Sequence, residues 1–220
     1  MKSKPENKRP EPRRRLKDPE HERKPSLRIS HIVYGRSKKG PKVVYLVDPK
    51  GSGTEKAVAE SVVLYRWRRR KFDGYAFSGT RLYPKIWRTL PKVFGPNPNL
   101  WKELSEAELK SVIESKRELM REQFETLPAV NCLRALFEVC GTNRLQKLID
   151  RHNDPERQKR FGTPDLFLYA IEKQSGKATI ARFVEVKKPE ETVKPDQHEE
   201  IEFLQSLGLH ARVLRLDERT

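Results

Sequence analysis

PDLFLYAIEKQSGKATIARFVEVKKP, residues 164–189, holds two apolar runs joined by a polar turn. DLFLYAI (165–171) and ATIARFVEV (178–186) have strand composition, and EKQSGK (172–177) between them predicts a β-hairpin. The second run contains an anomaly. Glu185 and Lys187 sit among Phe183, Val184 and Val186, two residues apart and hence on one face of a strand. Either this is an edge strand with a salt-bridged wet face, or the two charges hold a metal ion and a phosphate. Asp165 opens the first strand directly after Pro164, and a six-residue turn places it about opposite Glu185, so the three charged side chains are expected to meet at one point of the sheet.

Two carboxylates from neighbouring strands suit a hard divalent cation such as Mg²⁺, which takes oxygen ligands and keeps several waters. The backbone carbonyl of Val186 is a candidate third ligand. Lys187 beside such an ion can orient or help deprotonate a water and offset charge developing on a phosphate. Downstream, Asp196 and Glu199 predict the capped start of a helix from about Gln197 to Leu207, with Gly208 placed to stop it. HARVLRL (210–216) reads as a closing strand. The order β-β-α-β predicts an α/β core on a mixed sheet.

The whole-chain charge points to a polyanionic partner. In 220 residues, 47 Lys and Arg face 31 Asp and Glu, for a net charge of +16. Nucleic acid is the default partner, while ribosomal association or an anionic membrane surface fits the same total. No apolar run approaches the ~18 residues of a membrane span, and no secretory signal opens the chain, so a soluble, intracellular protein that is not secreted is expected. Cys132 and Cys140, eight apart in a helical pattern, are expected as reduced thiols. Residues 1–30 carry Pro5, Pro10, Pro12, Pro19 and Pro25 among dense charges, a composition that predicts a disordered basic tail. Its KRPEPRRRLK stretch is a candidate for nucleic acid, for an import receptor, or for solubility alone.

Between tail and hairpin, HIVYG (31–35) and KVVYLVD (42–48) predict a first hairpin. GSGT then leads into an expected helix from Glu55 to Lys71, with Thr54 as N-cap; no Lys-Ser/Thr pair follows a glycine at the spacing a phosphate loop needs. FDGYAFSGT (72–80) reads as a turn or short strand, and GPNPN (95–99) as part of a loop. Ser105 and Glu108 form a capping box at the head of a long helix expected to reach Glu125, and shorter helices are expected over 130–140 and 142–152. RWRRRK places Arg66, Arg68, Arg69, Arg70 and Lys71 around Trp67. This suits phosphate contacts with a stacking ring, or a helix end complementing the macrodipole. His152 reads as a surface histidine.

GTPDLFLY, FVEVKKP and KPDQHEEIEFLQSLG, in that order, resemble the PD-(D/E)XK nuclease superfamily and, more narrowly, its VRR-NUC branch. The matched positions are Gly162, Pro164, Asp165, Glu185, Val186, Lys187 and Gln197. Upstream, residues 34–80 and the stretch NRLQKLIDRHNDPERQKRFGTPD are similar to the Fanconi-associated nuclease domain, so the likeness covers about 31–220. The resemblance implies a restriction-endonuclease-like mixed β-sheet flanked by helices, with a helical insertion over about 85–155 and a motif core over 160–220. It also implies a DNA nuclease dependent on Mg²⁺ or Mn²⁺, acting on flap or branched DNA in repair, nuclear if eukaryotic and otherwise cytoplasmic. On that pattern Asp165, Glu185 and the Val186 carbonyl bind metal, Lys187 is catalytic, and Gln197 orients the lysine or touches DNA. Lys188, standing where a glycine is usual, joins the arginines of 66–70 and Lys71 as a candidate DNA contact. One departure matters most: the family's G-x-H-x-E falls on Gly74 to Ser78, so Ser78 replaces an acid. Glu60 is the candidate substitute, set against the reading of an exposed helical glutamate. The alternative to an enzyme is a catalytically decayed relative that binds DNA, and a third reading is a basic RNA-associated protein.

Overall fold

The computed structural model describes residues 33–36, 44–47, 53–56, 58–124, 126–157 and 162–218. The expected tail over 1–30 and the turn of the first hairpin lie outside them. Its centre is a sheet of four strands: β4 (Tyr75–Arg81), β5 (Leu166–Glu172), β6 (Ala178–Lys187) and β7 (Ala211–Arg215), in that spatial order. β4, β5 and β6 run antiparallel, and β7 lies parallel to β6. Leu166, Phe167, Leu168, Tyr169 and Ala170 are all buried, as a strand covered on both faces requires.

Alternation along the strands divides the core. Leu166, Leu168, Ala170, Val184, Val186 and Leu214 meet α1 (Ala59–Arg68) on one face. Phe167, Tyr169, Phe183 and Ala211 face the other way, toward α6 (Val130–Asn153) and α7 (Pro195–Ser206). Between β4 and β5 the chain passes through α2 (Ile86–Phe94), α3 (Pro98–Trp101), α4 (Glu106–Ser115), α5 (Arg117–Arg121) and α6. A second sheet joins β1 (Val33–Arg36), β2 (Val44–Val47), β3 (Gly53–Lys56) and β8 (Asp217–Glu218) in the order β3-β2-β1-β8. The mixed sheet flanked by helices is the α/β architecture expected from the sequence.

Both expected hairpins form: Tyr34 pairs with Leu46, and Leu166 pairs with Val184. The capping box is present, Ser105 N donating to Glu108 Oε2 at 2.7 Å and Glu108 N to Ser105 Oγ at 3.3 Å. Gly141, at φ 63°, separates two helical segments within α6, as the two-helix reading required. Three expectations are corrected and one is narrowed. GTEK forms β3 against β2, so α1 begins at Ala59 with Val58, not Thr54, as N-cap. The long helix breaks at Lys116 into α4 and α5. FDGYAFSGT supplies a turn and the first six residues of β4, so its reading as turn or short strand holds. α7 starts at Pro195 with Lys194 as N-cap, where Lys194 N donates to Gln197 Oε1 at 3.0 Å. α2 was not anticipated, because Pro84 and Pro91 obscure its buried stripe of Ile86, Trp87, Leu90 and Val93. No helix among the described residues is long and apolar enough to cross a membrane.

Candidate active site at the end of the central hairpin

The site lies where the β5–β6 ladder stops. The last paired residues are Leu166 and Val184; Asp165 follows at a bend, and Pro164 before it has no N–H with which to prolong the pairing. The Val186 N–H goes instead to Asp165 Oδ2 at 2.8 Å. Pro164 and Asp165 thus end the ladder together and anchor a carboxylate at its last point.

Glu185 is 1% exposed. Its Oε1 accepts from Lys187 Nζ at 2.8 Å and from the side-chain amide of Gln197 at the start of α7. Its Oε2 is buried with no hydrogen-bond partner. Burial, then the charge of Glu185, pushes Asp165 up to about 7 against the pull of the Val186 N–H. Burial also raises Glu185, with Lys187 opposing. Two desolvated, mutually repelling carboxylates and one orphaned carboxylate oxygen fit a divalent cation, which relieves both costs. Among the described residues no group of three or more His, Cys, Asp or Glu is arranged to hold an ion, so any such site rests on two carboxylates and backbone or water oxygens.

Glu60, in the first turn of α1, is no exposed surface glutamate. Its side chain is 21% exposed and sits 3.8 Å from Arg81 Nη2, and its charge raises both Asp165 and Glu185. A third acid therefore faces the pair from the opposite layer. Ser78 is not brought there. It pairs with Tyr169, four residues along β5 from Asp165 and so about 13 Å away, and its hydroxyl bonds the tyrosine side chain. The register of β4 separates it from the acids.

The cationic residues divide. Trp67 is 1% exposed, its Nε1 donating to the Ser78 carbonyl at 2.8 Å and to that of Tyr169 at 3.0 Å, so it is core and not a platform for a base. Arg68 Nη2 donates to Gly79 O at 2.6 Å, and Arg69 lies over the Tyr65 ring. Arg66 stands about 9 Å along α1 from Glu60, and Arg70 and Lys71 follow the end of that helix. Lys188 N donates to Glu191 Oε2 at 2.9 Å, which folds the loop after β6 back on itself.

Sequence reasoning missed the support behind α7. Glu200, one turn on from Gln197, accepts from Arg151 Nε at 3.1 Å and meets His152 Nε2 at 2.8 Å. His152 is buried, contrary to the surface reading, because the end of α6 packs on α7. The signal was available in the spacing: Gln197, Glu200, Ile201 and Leu204 share one helical face. Gly162 completes the support. A Cβ there would stand 2.1 Å from Asp196 O, so only glycine lets this loop touch the first turn of α7.

A family model, the VRR-NUC domain, matches residues 100–217. Among solved structures, a crystal structure of paFAN1 bound to 2-nt 5′-flap DNA with a gap is similar, with TM-score 0.46 and 16% identity over 75% of this chain and 36% of that one. A second, bound to 1-nt 5′-flap DNA with a gap, has TM-score 0.44 and 15% identity over 89% of this chain and 39% of that one. The chain therefore spans well under half the length of these structures. No curated protein matches.

Proposed function

The chain belongs to the VRR-NUC domain family, and on that premise we propose that it is a metal-dependent nuclease that hydrolyses phosphodiester bonds in DNA, flap or branched DNA first among its substrates. The observation that carries the reading is the meeting of Asp165, Glu185 and Lys187 where the β5–β6 ladder ends. Asp165, Glu185 through its unpartnered Oε2, and the Val186 carbonyl would hold the ion. Bound there, Mg²⁺ or Mn²⁺ supplies a Lewis acid for the phosphate and a water of lowered pKa. Lys187, fixed by Glu185 Oε1, directs positive charge and N–H donors at a water and at the phosphate oxygens. Gln197 locks the glutamate so that only Oε2 is offered. Glu60 adds negative charge that draws a cation toward the pair, which supports catalysis over the decayed, DNA-binding alternative raised by Ser78. The net charge of +16 supports a nucleic-acid partner, and repair of DNA is the setting that the family likeness suggests.

The test is cleavage of labelled flap, nicked and single-stranded DNA with Mg²⁺ or Mn²⁺. Asp165→Ala and Glu185→Ala should each abolish cutting while leaving DNA affinity largely intact. Undiminished cleavage in both variants overturns the assignment. A wild type that binds every DNA tried and cuts none, with either ion, favours the decayed relative.

A further inference from the structure

Trp67, the ring that the sequence sets among the cations of RWRRRK, is core, yet the same end of the sheet turns another ring to solvent. Among the described side chains Phe72 is the one aromatic ring that is exposed, at 39%. It stands on the turn from α1 to β4, and hydrogen bonds fix that turn. Tyr75 N donates to Phe72 O at 3.1 Å, Gly74 supplies the φ of 80° between them, and Lys173 N donates to Gly74 O at 2.7 Å, tying the turn to the central hairpin. The Tyr75 ring meets Phe72 edge-on, 5.7 Å between centroids, and supports it from one side. Arg69, Lys71, Lys173 and Lys177 are exposed at this end, against Asp73 of the turn and Glu172, which accepts from Ser175 Oγ at 2.5 Å.

This ring takes no part in the site already described. Tyr75 pairs with Glu172, and six steps of β5 separate Glu172 from Leu166, so this end lies about 20 Å from the acidic pair. A flat ring held on a short turn has little freedom left to lose when it stacks, and every nucleobase offers it a face while the strand's phosphates meet the flanking cations. We propose that Phe72 is a stacking platform for an unpaired base, which makes this end of the sheet a contact for single-stranded nucleic acid about 20 Å from Asp165 and Glu185. The choice of nucleic acid as ligand rests on the function proposed above; the fixed, exposed ring does not.

The test measures binding by the full chain without divalent cation, so no cleavage is scored and a chain that cuts nothing leaves the measurement standing. Anisotropy follows a labelled single-stranded oligonucleotide, an abasic strand of the same length and a blunt duplex across a salt series. Phe72→Ala should weaken single-strand binding about tenfold, the worth of one base stack. The abasic strand, the duplex and the slope of log affinity against log salt should stay as in wild type, since no cation is removed. Phe72→Trp should keep the affinity, and the introduced indole should be quenched by the single strand and not by the abasic one. Trp67, Trp87 and Trp101 are each at most 1% exposed, so that signal reports the turn. Wild-type single-strand affinity in a Phe72→Ala protein of wild-type Tm overturns the proposal. So does an equal loss on single strand, abasic strand and duplex, which makes the ring part of a backbone contact. A blue shift of the indole on phosphatidylserine vesicles, with no response to the single strand, also overturns it by assigning the ring to a membrane surface. If Phe72→Ala does not fold, the indole of Phe72→Trp decides, and absence of quenching by the single strand overturns the proposal.

Discussion

Gln197 and Lys187 bind the same oxygen of Glu185, Oε1, from two different elements of the fold. The amide comes from the first turn of α7 and the ammonium from β6 itself. The consequence is an oriented carboxylate whose second oxygen is buried without a hydrogen-bond partner. Gln197→Ala should therefore cost about 10–100-fold in metal affinity or cleavage, the range typical when support behind a ligand is removed. Titrating Mn²⁺ against cleavage rate separates the effects: a raised half-saturation concentration is expected, and an unaltered one would mean that Lys187 alone suffices.

The state of Asp165 gives a pH dependence for the metal-free protein. Its folded pKa of about 7 lies above the ordinary carboxylate range. As pH rises from that range toward 7, the unfolded chain releases this proton first, so the folded state binds more protons and loses stability across the window. Asp165→Asn still accepts from the Val186 N–H but carries no charge. With chelator present, it should be more stable than wild type by about 1–2 kcal/mol above pH 7, and the gap should close toward pH 4. Thermal unfolding at several pH values checks this, as does added Mn²⁺, which should stabilise wild type only.

Gly162→Ala tests the contact that seats α7. The new methyl meets backbone atoms of Asp196 and Gln197, which cannot rotate away as a side chain would. Overpacking of this kind costs about 1–3 kcal/mol, and the displaced first turn should carry Gln197 off Glu185. Denaturant unfolding and cleavage should both suffer. A stable protein of full activity would show that the loop relaxes without moving the helix.

Glu200 should respond differently to two substitutions. Burial alone would raise its carboxyl, but the hydrogen bonds and charges of His152 and Arg151 overcome that and hold it below the usual range. The stability it contributes is present above the unfolded-state pKa and lost as pH falls through the folded one. Glu200→Ala strands the Arg151 guanidinium and the buried His152 ring without their acceptor and should cost about 3–5 kcal/mol, whereas Glu200→Gln keeps hydrogen bonding and should cost less. Equal losses in urea unfolding would assign the effect to packing.

The hairpin and its three charged residues were legible because they depend on local facts: period-two alternation, a polar turn, and a proline followed by an aspartate. The role of Glu60 was not, since a helical glutamate looks the same until α1 is docked across the strands. GTEK misled in the other direction. Its residues suit a helix start, and pairing with β2 overrides that preference. Ser78 shows the limit of reading a motif by spacing alone: four residues of β5 separate its strand partner from Asp165.

Pro164 has a consequence for the edge of the hairpin. β-sheets tend to extend wherever a donor meets an acceptor, and a residue with an amide hydrogen just before Asp165 could carry the pairing of β5 with β6 further. Proline removes that donor by covalent structure and not by strain, so the ladder stops at Leu166 and Val184 and the Val186 N–H is left for the Asp165 carboxylate. The stop signal is thus written into the backbone itself, and it needs no loop movement to take effect.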